Sequence, residues 1–401
     1  MKIEKDNPHH WLLLALFGTN VALAVLMRPF TRRKPGTQKR VILYGHKLSG
    51  NLLAIQRQLS AVHAGEIEPI FLTMDPAYCG RLVAEGGPAC LATSPACAWL
   101  LARADAIISD HGLHAMQPLL SLSNLKFFDV WHGIPFKGFD ADDFRVQHRY
   151  DETWVASPLL AELYTRRFGF DPAKITVTGY ARTDPLVEPH ETPAEIRRRL
   201  GLQHTEGQRL VLFAPTWKQD ARHRSLFPFG SDGQEFLERL TDVCRRNGAL
   251  LLFRAHLNAK DPVPLPADGV IPIPFADYPD TEAILQISDA LICDWSSIAF
   301  DYLLLDRPTL FLDVEPPFRK GFSLGPEYRF GPVIKDLPEL LRELERSLAD
   351  PEGYRAEYGA HHAAIREQVY GSYADGRSAE RCVQRLARSL GAHRHEKHTE
   401  D

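Results

Sequence analysis

The chain lacks the short signatures that most often announce nucleotide or metal chemistry. Neither G-x-x-x-x-G-K-[ST] nor G-x-G-x-x-G occurs anywhere in it, which argues against a P-loop NTPase and a standard dinucleotide oxidoreductase. Its six cysteines, at 79, 90, 97, 244, 293 and 382, include no C-x-x-C pair and form no regular framework, so neither a zinc site nor a disulfide scaffold is suggested and a reducing compartment is the simpler expectation. No carboxylates cluster at metal-ligand spacing, so a cation-independent chemistry with no metal and no cofactor is expected. The acidic run Asp140, Asp142 and Asp143 reads as a solvated loop. Charge of one sign is also missing: 47 basic against 51 acidic residues leave a net charge of −4, with no global attraction to nucleic acid. Any anion site must therefore be local.

What is present is ordinary globular material, 44% hydrophobic and 24% charged over 401 residues. That length exceeds what one core usually serves, so two domains plus accessory segments are expected. Residues 11–27, WLLLALFGTNVALAVLM, carry no charge and are followed by Arg28, Arg32, Arg33, Lys34, Lys39 and Arg40. The run is at the lower length limit for a membrane span. Basic residues on its carboxyl side favour a cytoplasmic body, with the segment either spanning or lying in the interface. A cleaved signal peptide normally carries its charge before the apolar run instead. The alternative is an ordinary buried helix, and Thr19 and Asn20 in the middle weigh against spanning.

Beyond this segment the pattern is α/β. The apolar run at 41–45 leads into Gly-His-Lys-Leu-Ser-Gly and a helical pattern over 51–62. Short apolar runs follow at 67–73, 106–109, 127–131, 153–156 and 175–178, separated by helix-length or loop stretches. After the charged stretch 184–199 a second series appears at 210–213, 250–253, 270–273, 290–293 and 309–312, with a helix around 235–246. Alternating strands and helices imply parallel sheets. Helices are expected again at 337–348, 354–369 and 379–390, and the polar, His-rich tail 391–401 reads as disordered.

In open α/β sheets ligands bind beyond the carboxyl ends of the strands, and the residues there are chemically rich. His132, Gly133 and Lys137 follow one strand, Thr216 and Lys218 another, and Arg254 and His256 a third. The stretch ISDALICDWSSIAFDYLLLDRPTLFLD at 287–313 spells strand, turn, helix, strand, with Asp294, Ser296 and Ser297 at the turn. A helix starting near Ser296 offers unpaired N–H groups and a positive dipole end to phosphate; the alternative is that Asp294 and the serines simply cap it. A lone strand-end histidine is usually structural. Two histidines, an arginine, two lysines and two serines on successive strand ends describe a phosphate-binding pocket with an imidazole base available.

The segments WHGIPFKGF, TGYARTD, FAPTWK, RAH and the 287–313 stretch, in this order, resemble the CDP-glycerol glycerophosphotransferase family, which builds teichoic-acid-type and related alditol-phosphate polymers. Ile134, Leu257 and Trp295 stand where threonine, proline and tyrosine are common. The resemblance covers roughly residues 40–390 and implies a GT-B fold, α/β with two facing Rossmann-like domains and parallel sheets, here preceded by the apolar helix. The expected segments are 1–39 (apolar segment and basic linker, membrane-associated), 40–185 (acceptor domain), 186–350 (CDP-alditol-binding domain), 351–390 (bracing helices) and 391–401 (tail). The resemblance also implies catalytic roles for His132 and His256, and the strand-end reading adds donor contacts from Gly133, Lys137, Thr216, Lys218, Arg254, Asp294, Ser296 and Ser297. The implied partners are a CDP-alditol donor, a polymer or lipid-linked acceptor and the membrane, at its cytoplasmic face. Rival readings are a GT-B glycosyltransferase or sugar-nucleotide epimerase, and a membrane-tethered nucleotide-binding protein without turnover.

Overall fold

A computed structural model describes residues 7–31, 37–216, 227–254 and 269–392. By its contacts the chain divides into two compact units. The first comprises 1–132, 141–182 and 377–401; the second comprises 133–140 and 183–376.

Among the described residues the first unit holds seven strands: β1 Lys39–Tyr44, β2 Ile67–Thr73, β3 Ala89–Leu91, β4 Ala106–Ser109, β5 Lys126–Asp129, β6 Glu152–Val155 and β7 Ile175–Val177. They run in the order β3-β2-β1-β4-β5-β6-β7, every pair parallel. Because crossovers place helices on both faces, the central strands are apolar throughout rather than alternating. Val41 to Tyr44 are all buried, as are residues 106–109. The order reverses between β1 and β4, which opens a crevice at their carboxyl ends.

The helices sort onto the two faces by their apolar stripes. Helix Gly50–Val62 and the last helix, Ser378–Leu390, cover one face, placing Leu52, Ile55, Leu59, Cys382, Val383 and Leu386 in a core with Val41, Leu43 and Phe128. Gly179, at φ +80°, marks where that last helix comes close: a Cβ there would run into the Ser378 side chain, a contact only glycine avoids. The other face is closed by helix Pro95–Arg103 together with the amino-terminal helix Pro8–Met27, whose Phe17, Val21 and Ala24 join Ile42, Leu72 and Leu101. Asn20 explains itself here: its buried amide donates to the carbonyls of Ala92 and Ser94, both at 2.9 Å.

The second unit repeats the plan with β8 Arg209–Ala214, β9 Ala249–Phe253, β10 Val270–Pro272, β11 Ala290–Cys293, β12 Thr309–Leu312 and β13 Val333–Ile334. Their order is β10-β9-β8-β11-β12-β13, again all parallel. Its crevice lies between β8 and β11. Helices Gly233–Arg246 and Leu337–Ala349 pack Phe236, Leu240, Leu340 and Leu344 against Val211, Phe213, Ile292 and Leu310.

Two outlines differ from the expected segments. Residues 133–140 leave the first unit's chain and pair within the second: Gly138 N–H donates to Gly321 O at 2.7 Å and Ser323 N–H to Phe136 O at 2.8 Å, while Phe136 stacks on Phe300 at 4.5 Å. A Cβ on Gly138 would run into the Lys320 and Gly321 carbonyls. Of the carboxyl-terminal helices, Pro351–Tyr370 lies in the second unit and Ser378–Leu390 in the first. All six cysteines are free, and the acidic run is solvated, with Asp140 paired to Lys320 at 2.7 Å and Asp142 to Arg145 at 2.9 Å.

Candidate active site

In the first unit, three loops leaving β1, β4 and β5 bring His46, His111 and His132 into one row. The rings of His46 and His111 lie 4.2 Å apart, and those of His111 and His132 lie 4.5 Å apart and nearly parallel, at 7°. His132 Nδ1 sits 3.0 Å from the backbone oxygen of Asp110. A carbonyl only accepts, so Nδ1 carries the proton and Nε2 keeps its lone pair. The Asp110 carboxylate meets His111 Nδ1 at 2.6 Å. Thus Asp110 orients one histidine with its backbone and holds the next with its side chain.

The backbone at this point is strained. Trp131 has φ +25°, rare for a bulky residue and typical of sites where the surroundings over-determine geometry. Asn51 supplies part of that constraint, its amide donating to Val130 O at 2.8 Å and Trp131 O at 2.7 Å while its oxygen accepts from Arg182 N–H at 3.0 Å. Arg182 also donates to the His132 carbonyl, and the Trp131 ring packs on His132 at 4.3 Å and on Phe144 at 5.1 Å. Beneath the row Asp129 is fully buried. Desolvation, then repulsion from Asp110, pushes its pKa up to about 8.

The electrostatics separate the three imidazoles. Burial opposes charge on His111, but the Asp110 carboxylate, through charge and hydrogen bond, raises its pKa. His132 is driven the other way, to about 4, by desolvation first and by His111 second, with the Asp110 carbonyl pulling back. His46 falls to about 3 for the same two leading reasons. The arrangement therefore pairs an imidazole shifted toward its neutral form with a neighbour shifted toward its charged form. Replacing His111 with alanine removes that repulsion, so the His132 pKa is expected to rise toward the ordinary imidazole value. Histidine ring NMR titrated with pH checks this; an unmoved His132 resonance contradicts the assignment.

In the second unit, Asp294 follows β11 and is buried. One of its oxygens accepts from Trp295 N–H at 2.7 Å and from Thr216 N–H, just past β8, at 2.9 Å. Asp294 thus ties together the two strand ends that flank the crevice. Neither serine is a side-chain cap: the helix that follows begins at Ile298, runs only to Leu303, and Ser297 makes no capping bond. Both serines are half-buried. Trp295 is a platform, its indole N–H donating to Val314 O at 2.8 Å. Phe322 packs against it at 4.7 Å and the Arg329 guanidinium lies 3.4 Å over its ring.

Arg254, immediately after β9, is buried and already engaged. Its Nη1 donates to Ile273 O at 3.1 Å and its Nη2 to Tyr278 O at 3.1 Å and Thr281 Oγ1 at 2.9 Å. Desolvation lowers its pKa to about 10. Three of its five N–H donors are thus spent on holding the stretch 273–281. Gly133 and Lys137 lie on the 133–140 segment in the second unit; the Lys137 carbonyl accepts from Ser323 Oγ at 2.7 Å. Lys218 and His256 lie outside the described residues.

His46, Asp110, His111 and Arg329 escaped the sequence reading. Three of them stand directly after β1 and β4, so the strand-end rule that selected His132 applies to them equally. Arg329 has no such signal, because its partner Trp295 is distant in sequence.

The model of the CDP-glycerol:poly(glycerophosphate) glycerophosphotransferase family matches residues 26–388. The teichoic acid ribitol-phosphate polymerase TarL of Staphylococcus aureus is 27% identical over 306 residues, covering 72% of this chain and 52% of that protein. The teichoic acid poly(glycerol phosphate) polymerase of Bacillus subtilis is 28% identical over 252 residues, 56% of this chain and 33% of its own length. The chain therefore spans about half or less of these relatives. Among solved structures, the wall teichoic acid polymerase TagF superposes with a TM-score of 0.73 at 21% identity, covering 95% of each chain, which shows a shared GT-B fold. With the match running from the amino-terminal helix to the last helix, the chain belongs to the CDP-glycerol:poly(glycerophosphate) glycerophosphotransferase family.

Proposed function

We propose that the protein transfers glycerol phosphate or ribitol phosphate from a CDP-alditol to a hydroxyl of a cell-envelope polymer or lipid-linked acceptor, releasing CMP. The observation that carries this reading is His132 itself. Its Nε2 lone pair is left free by the Nδ1 bond to Asp110 O, and the residue is exposed, so that nitrogen is open to an acceptor hydroxyl. In the step proposed, the acceptor hydroxyl attacks the alditol-bearing phosphorus and gives its proton to His132 Nε2. The bond from that phosphorus to the bridging oxygen breaks, and CMP leaves with the electron pair. An arriving phosphate raises the pKa of a nearby imidazole, bringing the base closer to working pH when the donor is bound. His256, with the remaining donors of Arg254, is assigned to the pyrophosphate; Ser296, Ser297, Thr216, Lys218, Gly133 and Lys137 to the donor's remaining contacts; Asp294 to holding the crevice in shape.

Most of the work is positioning and charge stabilisation rather than covalent chemistry. Structures of a histidine-to-asparagine variant of TagF soaked with CDPG support a CDP-glycerol-type donor here by relationship. The site of action proposed is the cytoplasmic face of the cell membrane. The test is CMP release by purified protein given CDP-glycerol and then CDP-ribitol, with membrane extract as acceptor and His256→Ala as control. Release that requires both acceptor and His256 is expected. Silence with both donors while UDP-sugars turn over would sink the proposal.

A further inference from the structure

The second unit contains a cavity of about 150 Å³ that the transfer chemistry does not use. It lies at the amino ends of β8, β11 and β12, whereas Thr216 and Asp294 follow the carboxyl ends of β8 and β11. Arg209 is the first residue of β8, Asp289 immediately precedes β11, and Asp306 and Arg307 precede β12. Ser347, near the end of helix Leu337–Ala349, and Arg355, early in helix Pro351–Tyr370, also line it.

Three arginines and two aspartates give these walls a net positive charge. Asp306 and Arg355 answer one another, with Nε 3.5 Å from Oδ2, and Asp306 also lies 3.2 Å from His362 Nδ1. Arg209 and Arg307 have no such counter-ion among the described residues. Both are half-buried, and their hydrogen bonds go to neutral carbonyls: Arg209 to Leu348 O and Asn247 O, Arg307 Nη1 to Gln286 O at 2.8 Å and Ser288 O at 2.6 Å. Two guanidiniums without a carboxylate partner beside one cavity are suited to an oxyanion. A second observation points the same way. Ser347 is 1% exposed, yet its Oγ has no hydrogen-bond partner. A helical serine commonly returns its hydroxyl to the carbonyl one turn back, and a buried hydroxyl left unmet is destabilising; this one borders space that a ligand atom can fill.

Asp289 decides which oxyanion. Its Oδ2 accepts from Leu210 N–H at 2.7 Å, while Oδ1 has no protein donor among the described residues and accepts only from a ligand that brings a proton. Hydrogen phosphate brings one at neutral pH; sulfate has none and is repelled. A cavity of this size can take a benzene ring, so a tetrahedral ion fits. We infer that the cavity binds free hydrogen phosphate, with Arg209 and Arg307 on its charged oxygens, Ser347 Oγ on another, and Asp289 Oδ1 accepting from the remaining P–OH. Bound there, the ion ties the starts of three strands to two helices and stabilises the second unit by mass action. The inference does not rest on the transfer reaction.

Calorimetric titration of the full chain at about pH 8 with inorganic phosphate, sulfate and methyl phosphate, a monoester fully ionised there, tests it. Saturable phosphate binding is expected, with the other two ions weaker by about tenfold or more and a thermal midpoint that rises with phosphate. Ser347→Ala and Arg307→Lys, the second keeping the charge but not the planar fork, should each weaken phosphate by about tenfold. Asp289→Asn keeps an acceptor for Leu210 N–H and should erase the preference over sulfate. Near-ultraviolet circular dichroism identifies a variant that fails to fold; Ser347→Ala removes a hydroxyl that bonds nothing in the protein. No phosphate binding by the wild type, sulfate or methyl phosphate binding as tightly as phosphate, or undiminished phosphate binding by folded Ser347→Ala and Arg307→Lys would each overturn the inference.

Discussion

The His132→Ala variant is expected to lose CMP release by about 10²–10⁴-fold, the range supplied by a positioned general base, while its affinity for CDP-glycerol changes little. The expectation follows from where the imidazole is held. Its Nδ1 is fixed by the Asp110 carbonyl and one ring face by His111, so only Nε2 faces chemistry. Single-turnover CMP release and calorimetric donor binding separate the two effects. Comparable losses in both would make His132 a binding group rather than a base. The pH dependence has a definite sign. A base with a folded-state pKa near 4 is active above that value and is lost only as pH falls through it, so the free enzyme should show no acidic limb from His132 near neutrality. Because His111→Ala removes an imidazole that holds the His132 pKa down, that variant should show the limb displaced to higher pH.

Asp294→Ala should be the most damaging single change in the second unit. The carboxylate is buried, and one oxygen serves two backbone N–H groups, those of Trp295 and Thr216. Alanine leaves both without an acceptor. At about 1–3 kcal/mol for each buried group left unsatisfied, a loss of about 3 kcal/mol is expected in denaturant unfolding of that unit. Donor affinity should fall with it, because the same bonds hold β8 and β11 at the separation that shapes their crevice. Asp294→Asn retains an acceptor oxygen and should cost clearly less. Equal stability of the alanine variant and wild type would show that Asp294 does not bridge the two strand ends.

Much of the architecture is legible from apolar runs alone, because a parallel sheet covered on both faces needs strands that are apolar throughout. The runs at 106–109, 290–293 and 309–312 coincide with β4, β11 and β12 to the residue. The two strands the runs do not reveal, β3 and β13, are edge strands of three and two residues, too short to carry a period. The helix after Asp294 was legible, but not its brevity or the absence of side-chain caps, since Asp and Ser favour caps wherever they stand and only the fold shows which N–H groups lie within reach.

By itself the sequence determined which residues stand at the strand ends, because that depends on local hydrophobic pattern, and it determined the family through the order of its motifs. Only the tertiary structure decided what those residues touch. It alone shows that His132 is stacked on His111, that Arg254 spends most of its donors on the stretch 273–281, that residues 133–140 group with the second unit, and that the uncharged helix at 8–27 has an inner and an outer face. Each of these rests on contacts between segments far apart in the chain, made by side chains whose types allow several partners. Local propensity cannot choose among such partners; packing and hydrogen-bond satisfaction do.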